Sequence, residues 1–103
     1  MSDTRLEQFK QMVAEFPDSP MGHFSLGKLY LERRAFADAV ACFERATQLD
    51  PAYAAALVSL ADAYVGAGRP DAAREVLGRA RATALAQSHQ SLADEIDERL
   101  ADL

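Results

Sequence analysis

Ser25–Tyr30 reads SLGKLY, and thirty-four residues later Ser59–Tyr64 reads SLADAY. Both carry a Leu, then a small residue, then a Tyr at the same three places. Laying residues 20–53 over 54–87 extends the match. Leu26 falls on Leu60, Gly27 on Ala61, Tyr30 on Tyr64, Ala39 on Ala73, Phe43 on Leu77 and Ala46 on Ala80. Apolar or small matches at these spacings define a repeated unit, and a period of this length is the mark of a solenoid.

Within each unit the spacing predicts two helices. His23, Leu26, Gly27 and Tyr30 stand at i, i+3, i+4 and i+7, one stripe of a helix. Ala39, Phe43 and Ala46 form a second stripe. Small residues such as Gly27 and Ala39 let two helix backbones approach, while Tyr30 and Phe43 fill the space beside them. The breaks between helices are Arg33–Phe36 in the first unit and Gly66-Ala67-Gly68-Arg69-Pro70 in the second, where glycine ends one helix and proline starts the next. Asp50-Pro51 resets the chain between units, with Asp50 expected as an N-cap and Pro51 in the first turn.

These residues resemble the tetratricopeptide repeat (TPR) family, whose unit is a thirty-four-residue helix–turn–helix. Residues 20–51 carry most of the family pattern: Leu26, Gly27, Tyr30, Ala39, Phe43, Ala46 and Pro51. His23 stands where Trp is usual and Arg34 where Gly is usual. The second unit keeps Leu60, Ala61, Tyr64, Gly68, Ala73 and Ala80. It has Pro70 where an aromatic is common and Leu85 in place of the closing Pro, so its second helix should run on to about residue 86.

The ends are read in the same register. Pro17 and Phe9 lie thirty-four residues before Pro51 and Phe43, so residues 4–16 are expected as the second helix of a half repeat, opened by a Thr4–Glu7 capping box. Residues 89–102 leave the pattern. Their apolar stripe, Leu92, Ile96, Leu100 and Leu103, is shifted by one place, and Asp94, Glu95, Asp97, Glu98 and Asp102 cover the rest. That composition fits a terminal capping helix. The expectation is therefore one all-α domain, a helix–turn–helix stack of about six helices. Its parts are a half repeat at 4–19, repeats at 20–53 and 54–87, and a capping helix at 88–103.

Composition agrees with helix and narrows the functions. Of 103 residues half are hydrophobic, 26% are charged, and alanine makes up about a fifth. A net charge of −5 argues against a nucleic-acid partner, which needs a basic surface. No stretch has the length of a membrane span and the polar start has no signal-peptide core, which suggests a cytoplasmic protein without membrane insertion. The Ala/Arg-rich usage suggests a bacterial source.

Chemistry has little to work with. His23 sits on an apolar stripe and is expected to pack, His89 to be exposed, and Cys42 to be a small buried hydrophobe. One cysteine and two histidines offer no typical zinc site, and no acidic run has calcium-loop spacing. Gly66-Ala67-Gly68 follows a helix and lacks the Lys-Ser/Thr ending of a phosphate loop. Ser88 and Ser91 suit helix capping. Arg69, Arg74, Arg79 and Arg81 are read as a solvated face, with a docking strip for an acidic partner as the alternative. No catalytic residue, metal or cofactor is assigned, and the protein is not expected to be an enzyme.

The resemblance implies that the first helix of each pair lines a concave groove that takes a peptide or a helix. Carried over by position, the lining is Met21, Phe24, Lys28, Leu31 and Glu32 from the first repeat. The second repeat supplies Ala55, Val58, Ser59, Asp62 and Val65. Phe24 and Val58 stand where a carboxylate-clamping subclass needs polar residues, so the groove is largely apolar with one Lys and one Asp. It suits a hydrophobic peptide or an amphipathic helix on a protein partner of unknown identity. Two alternatives stay open: the capping helix folds back over the groove, or two copies pair through it as a homodimer.

Overall fold

The computed structural model describes residues 3–103, and each of its helices starts or stops for a local reason. The six are α1 (Thr4–Glu15), α2 (Pro20–Glu32), α3 (Phe36–Leu49), α4 (Ala54–Gly66), α5 (Pro70–Ala86) and α6 (Gln90–Ala101). Pro20 and Pro70 occupy first-turn positions, where a missing N–H costs nothing. Helix α1 is capped one residue earlier than its sequence suggests. Asp3, not Thr4, is the N-cap, and its carboxylate accepts from the Leu6 N–H.

Three helices end in the same hydrogen-bonded turn. Arg34, Gly68 and Ser88 adopt the left-handed conformation, with φ of 61°, 78° and 55°. In each turn this residue's N–H bonds to a carbonyl three residues back, and the following N–H bonds five back: Ala35 to Tyr30, Arg69 to Tyr64, His89 to Ala84. This is the Schellman ending, which satisfies carbonyls that the helix leaves open. Gly68 takes the conformation freely, whereas Arg34 and Ser88 bear its steric cost. Ser88 thus closes α5 rather than capping α6, whose N-cap is His89.

The connections between units are built differently. Asp50 is the C-cap of α3, not the N-cap of α4, and its Oδ1 accepts from the Ala52 N–H. Pro51 therefore lies in the turn, and α4 starts three residues later behind Tyr53. An Asp side chain bonding two residues on makes its own turn, which is why Asp-Pro ends a helix here instead of opening one. His23 reaches the equivalent turn before α2, its Nε2 lying 2.8 Å from the Pro17 carbonyl oxygen. Its expected packing role is thus joined by a hydrogen bond that anchors the α1–α2 connection.

The helices stack in chain order, each packing chiefly on its sequence neighbours, into a body of 40 × 27 × 19 Å. Phe43, Leu57, Leu77 and Ile96 are its largest fully buried side chains, set among alanines at 39, 46, 63, 73, 80 and 84 that have no exposure. Burying each large chain is worth about 1.5–3 kcal/mol. The alanines let the helices approach closely enough for that burial.

One substitution between the repeats is compensated in space. A Cβ on Gly27 would lie 2.7 Å from the Phe43 ring, so Gly27 is required by Phe43. The second repeat has Ala61 and Leu77 at these places, both buried. The added methyl is matched by a smaller partner.

Helix α5 runs three residues longer than α3 and ends at Ala86. Beyond it, Gln87 donates to the Ala52 carbonyl oxygen at 2.8 Å and ties α5 to the α3–α4 turn. Helix α6 then packs on α5 through buried Ala93 and Ile96, with Leu92, Leu100 and Leu103 partly buried against the same core.

Candidate partner-binding groove

The ten expected lining residues divide into distinct environments. Met21, Lys28, Glu32, Ala55 and Val65 are exposed, and Phe24, Leu31 and Asp62 are half-buried. Val58 and Ser59 are buried, because α4 lies deep between its neighbours and turns nine of its thirteen residues inward. They support the floor of this face and are not available to touch a partner.

Phe24 ties α2 to α3 and to the start of α4. Its ring stacks on Tyr53, the N-cap residue of α4, with centroids 5.0 Å apart, and meets Phe43 edge-on at 5.8 Å. Such aromatic pairs add about 0.5–1.5 kcal/mol beyond area burial. The Lys28 ammonium hangs 5.9 Å over the same ring. Beside them a cleft of about 570 Å³ opens between α1 and α2, lined by Arg5 and Phe9 from α1 and by Phe24, Lys28, Leu31 and Glu32 from α2.

Asp62 is already committed. Arg99 of α6 grips it with two hydrogen bonds, Nε to Oδ1 at 3.1 Å and Nη2 to Oδ2 at 3.3 Å, while Nη1 donates to Glu95 at 2.6 Å. Donating to the Asp62 carboxylate holds the Arg99 guanidinium still more firmly protonated, against the cost of its partial burial. Helix α6 therefore reaches the α4 end of the face, and the cleft over α2 stays open. A smaller cavity of about 240 Å³ lies beneath this contact, lined by Val65, Leu77 and Leu103 among others.

The remaining reactive or charged groups are quiet. Cys42 is half-buried and its thiol is pushed up to about 11, first by burial and then by Asp38. A thiol so strongly protonated is a poor nucleophile. Among the described residues, no group of three His, Cys, Asp or Glu side chains is placed to hold a metal ion. No helix of those residues is long and apolar enough to cross a membrane. In the basic strip of α5, Arg74 pairs with Asp71 and Arg81 with Asp97, while Arg69 before α5 lies over the Tyr64 ring at 4.6 Å.

Repeated helix pairs stacked around small residues already indicate a family, and its model decides the matter: the tetratricopeptide repeat model matches residues 30–94. The chain belongs to the tetratricopeptide repeat family. Among solved structures, this TPR chain is similar to the TPR2B domain of yeast Sti1 in its complex with pHsp70. That match has a TM-score of 0.88 and 23% identity over 93% of this chain and 77% of the other. Protein BPP2914 from Bordetella parapertussis matches at TM-score 0.83 and 27% identity, over 99% and 88% of the two chains. MamA matches at TM-score 0.71 and 22% identity, over 93% of this chain and 63% of that one. No curated protein matches.

Three residues of the candidate face lie outside the expected lining. Arg5 and Phe9 enter from the half repeat, and Arg99 from the cap. Arg99 carried a signal, as the lone cation in a helix with four carboxylates. Nothing in local spacing marked Arg5 or Phe9 as cleft residues.

Proposed function

We propose that this TPR domain is a non-catalytic protein–protein interaction module that seats a peptide or an amphipathic helix on the face formed by α2 and the exposed edge of α4. The observation that carries this reading is the open cleft beside Phe24, Lys28 and Leu31. Its volume lies within the range of about 300–1,000 Å³ usual for ligand pockets. Members of the family are protein-interaction modules, and the yeast Sti1 domain of similar fold is in complex with pHsp70. The working unit on this reading comprises the half repeat 4–19, the repeats 20–53 and 54–87, and the cap 88–103. A cytoplasmic location and a bacterial source complete the reading on composition alone, with no cofactor and no nucleic-acid partner.

Selection from a random displayed-peptide library on the immobilised protein tests the proposal. Enrichment is expected on the parent protein and should be lost on Leu31→Asp, with circular dichroism confirming that the variant folds. Enrichment that survives Leu31→Asp contradicts the groove assignment.

A second reading has its own observation. Phe16 and Met21 flank the α1–α2 turn and are 61% and 67% exposed, large apolar side chains that a second copy would cover. A homodimer through this face would cover Met21. Light scattering during size exclusion, over about a hundredfold dilution, separates the two readings. A constant mass near 11.2 kDa supports the heterotypic module, and a doubled mass that falls on dilution supports the dimer.

A further inference from the structure

Building on that reading of the α2 face, we infer that the α1–α2 cleft is its anchor subsite, and that it takes an apolar side chain flanked by an Asp or Glu: the partner is an acidic-apolar peptide segment. The apolar half follows from the walls. Phe9, Phe24 and Leu31 come from two helices and line an open space sized for a large side chain together with part of its backbone. Phe24 is fixed from behind by Tyr53 and Phe43, so this wall is set before a partner arrives.

The acidic half follows from a count of charges around the cleft. Its rim carries two cations, Arg5 and Lys28, against one carboxylate, Glu32. Among the described residues, no carboxylate lies within ion-pair distance of Lys28, which is held over the Phe24 ring. Arg5 meets Glu32 at 3.3 Å, but both side chains are well exposed, at 58% and 63%. Such a pair is worth little, and the guanidinium can turn to a better acceptor. Two further acids are occupied: Asp3 caps α1 and pairs with Arg33, and Asp62 is closed by Arg99. On a chain of net charge −5, this rim carries a cationic excess of one. A peptide carboxylate would find an unpaired ammonium beside an apolar slot, which selects both chemistries at once.

The test uses the full chain and two random peptide libraries, one with C-termini blocked by fusion and one with free C-termini. The blocked library should yield peptides with Leu, Ile, Phe or Met next to Asp or Glu. A synthetic copy of the leading peptide should bind at least about tenfold more weakly to Lys28→Glu, and equally so when its acid is changed to the amide. Lys28 is exposed, so that variant keeps the fold.

Apolar peptides enriched without regard to charge, or binding unchanged in Lys28→Glu, overturn the inference and leave the groove reading standing. Enrichment confined to free C-termini also overturns it, assigning the carboxylate to a chain end. Enrichment in neither library overturns both readings. A dilution-sensitive dimer abolished by Leu31→Asp would make a second copy the occupant and sink the inference.

Discussion

The Arg99 guanidinium spans both carboxylate oxygens of Asp62, at 3.1 and 3.3 Å, across thirty-seven residues of sequence. This contact joins the cap to the second repeat and occupies Asp62, one of two acids on the candidate face with Glu32. Both side chains keep a third or more of their exposure, so screening limits the contribution to about 0.5–1 kcal/mol. Arg99→Ala should lower the melting temperature by about 2–5 °C. Amide exchange in α6 should speed up more than in α3. Equal acceleration in both helices would show that Arg99 acts on the whole fold and not as a latch on the cap.

The pairing of Gly27 with Phe43 predicts an energetic coupling. Gly27→Ala forces a methyl to 2.7 Å from the Phe43 ring and should cost about 1–3 kcal/mol. Adding Phe43→Leu rebuilds the Ala61–Leu77 arrangement of the second repeat. The double variant should be more stable than the sum of the two singles implies, by at least about 0.5 kcal/mol. Urea unfolding of the four proteins measures this, and strict additivity would contradict it.

Left-handed residues that are not glycine are sites for stabilisation. Ser88→Gly removes the steric cost at φ 55°, against a small rise in unfolded-chain entropy, and should gain about 0.5–1 kcal/mol. The urea midpoint should rise with an unchanged slope. Arg34→Gly should gain less, because Arg34 also lies over the Phe36 ring at 5.3 Å. A larger gain at Arg34 than at Ser88 would contradict that stacking contribution.

Cys42 predicts an alkaline effect with a definite sign. Its thiol is raised from 9.0 to about 11 in the folded chain, so the folded state holds the proton more tightly than the unfolded one. Its contribution to stability is complete below pH 9 and is lost as pH rises from 9 to about 11. Cys42→Ala should lose less stability over that interval than the parent. Reaction of the folded thiol with a disulfide reagent at pH 8 should be slower than that of free cysteine. Fast modification at that pH would place the thiol in a more open setting.

The repeat was legible because its signal is periodic. Leu26 with Leu60 and Tyr30 with Tyr64 recur at one spacing, and the helices they imply are present, including the run of α5 to Ala86. Caps were less legible. Asp3 and Thr4 are both good N-cap residues, and only the hydrogen bond to Leu6 decides between them. Asp50 can cap a helix or close a turn, and only its bond to the Ala52 N–H decides for the turn. Arg34 gives no sign in sequence of its left-handed backbone beyond its place in the repeat.

The candidate site was read in outline from helix position. The burial of Val58 and Ser59 depends on how closely α4 is enclosed, and a single helix does not reveal this. The Arg99–Asp62 contact and the entry of Arg5 and Phe9 depend on pairings between distant segments. Periodicity carries the core, and chemistry across helices carries the groove.

On the proposed function, a partner docks on α2 beside the α1–α2 cleft. Amide chemical-shift mapping, with a library-selected peptide titrated into labelled protein, tests it most directly. The largest shifts should fall on Phe9, Phe24, Lys28 and Leu31. Shifts gathered instead around Tyr64, Glu75 and Arg79, which line a separate cavity across α3, α4 and α5, would contradict it.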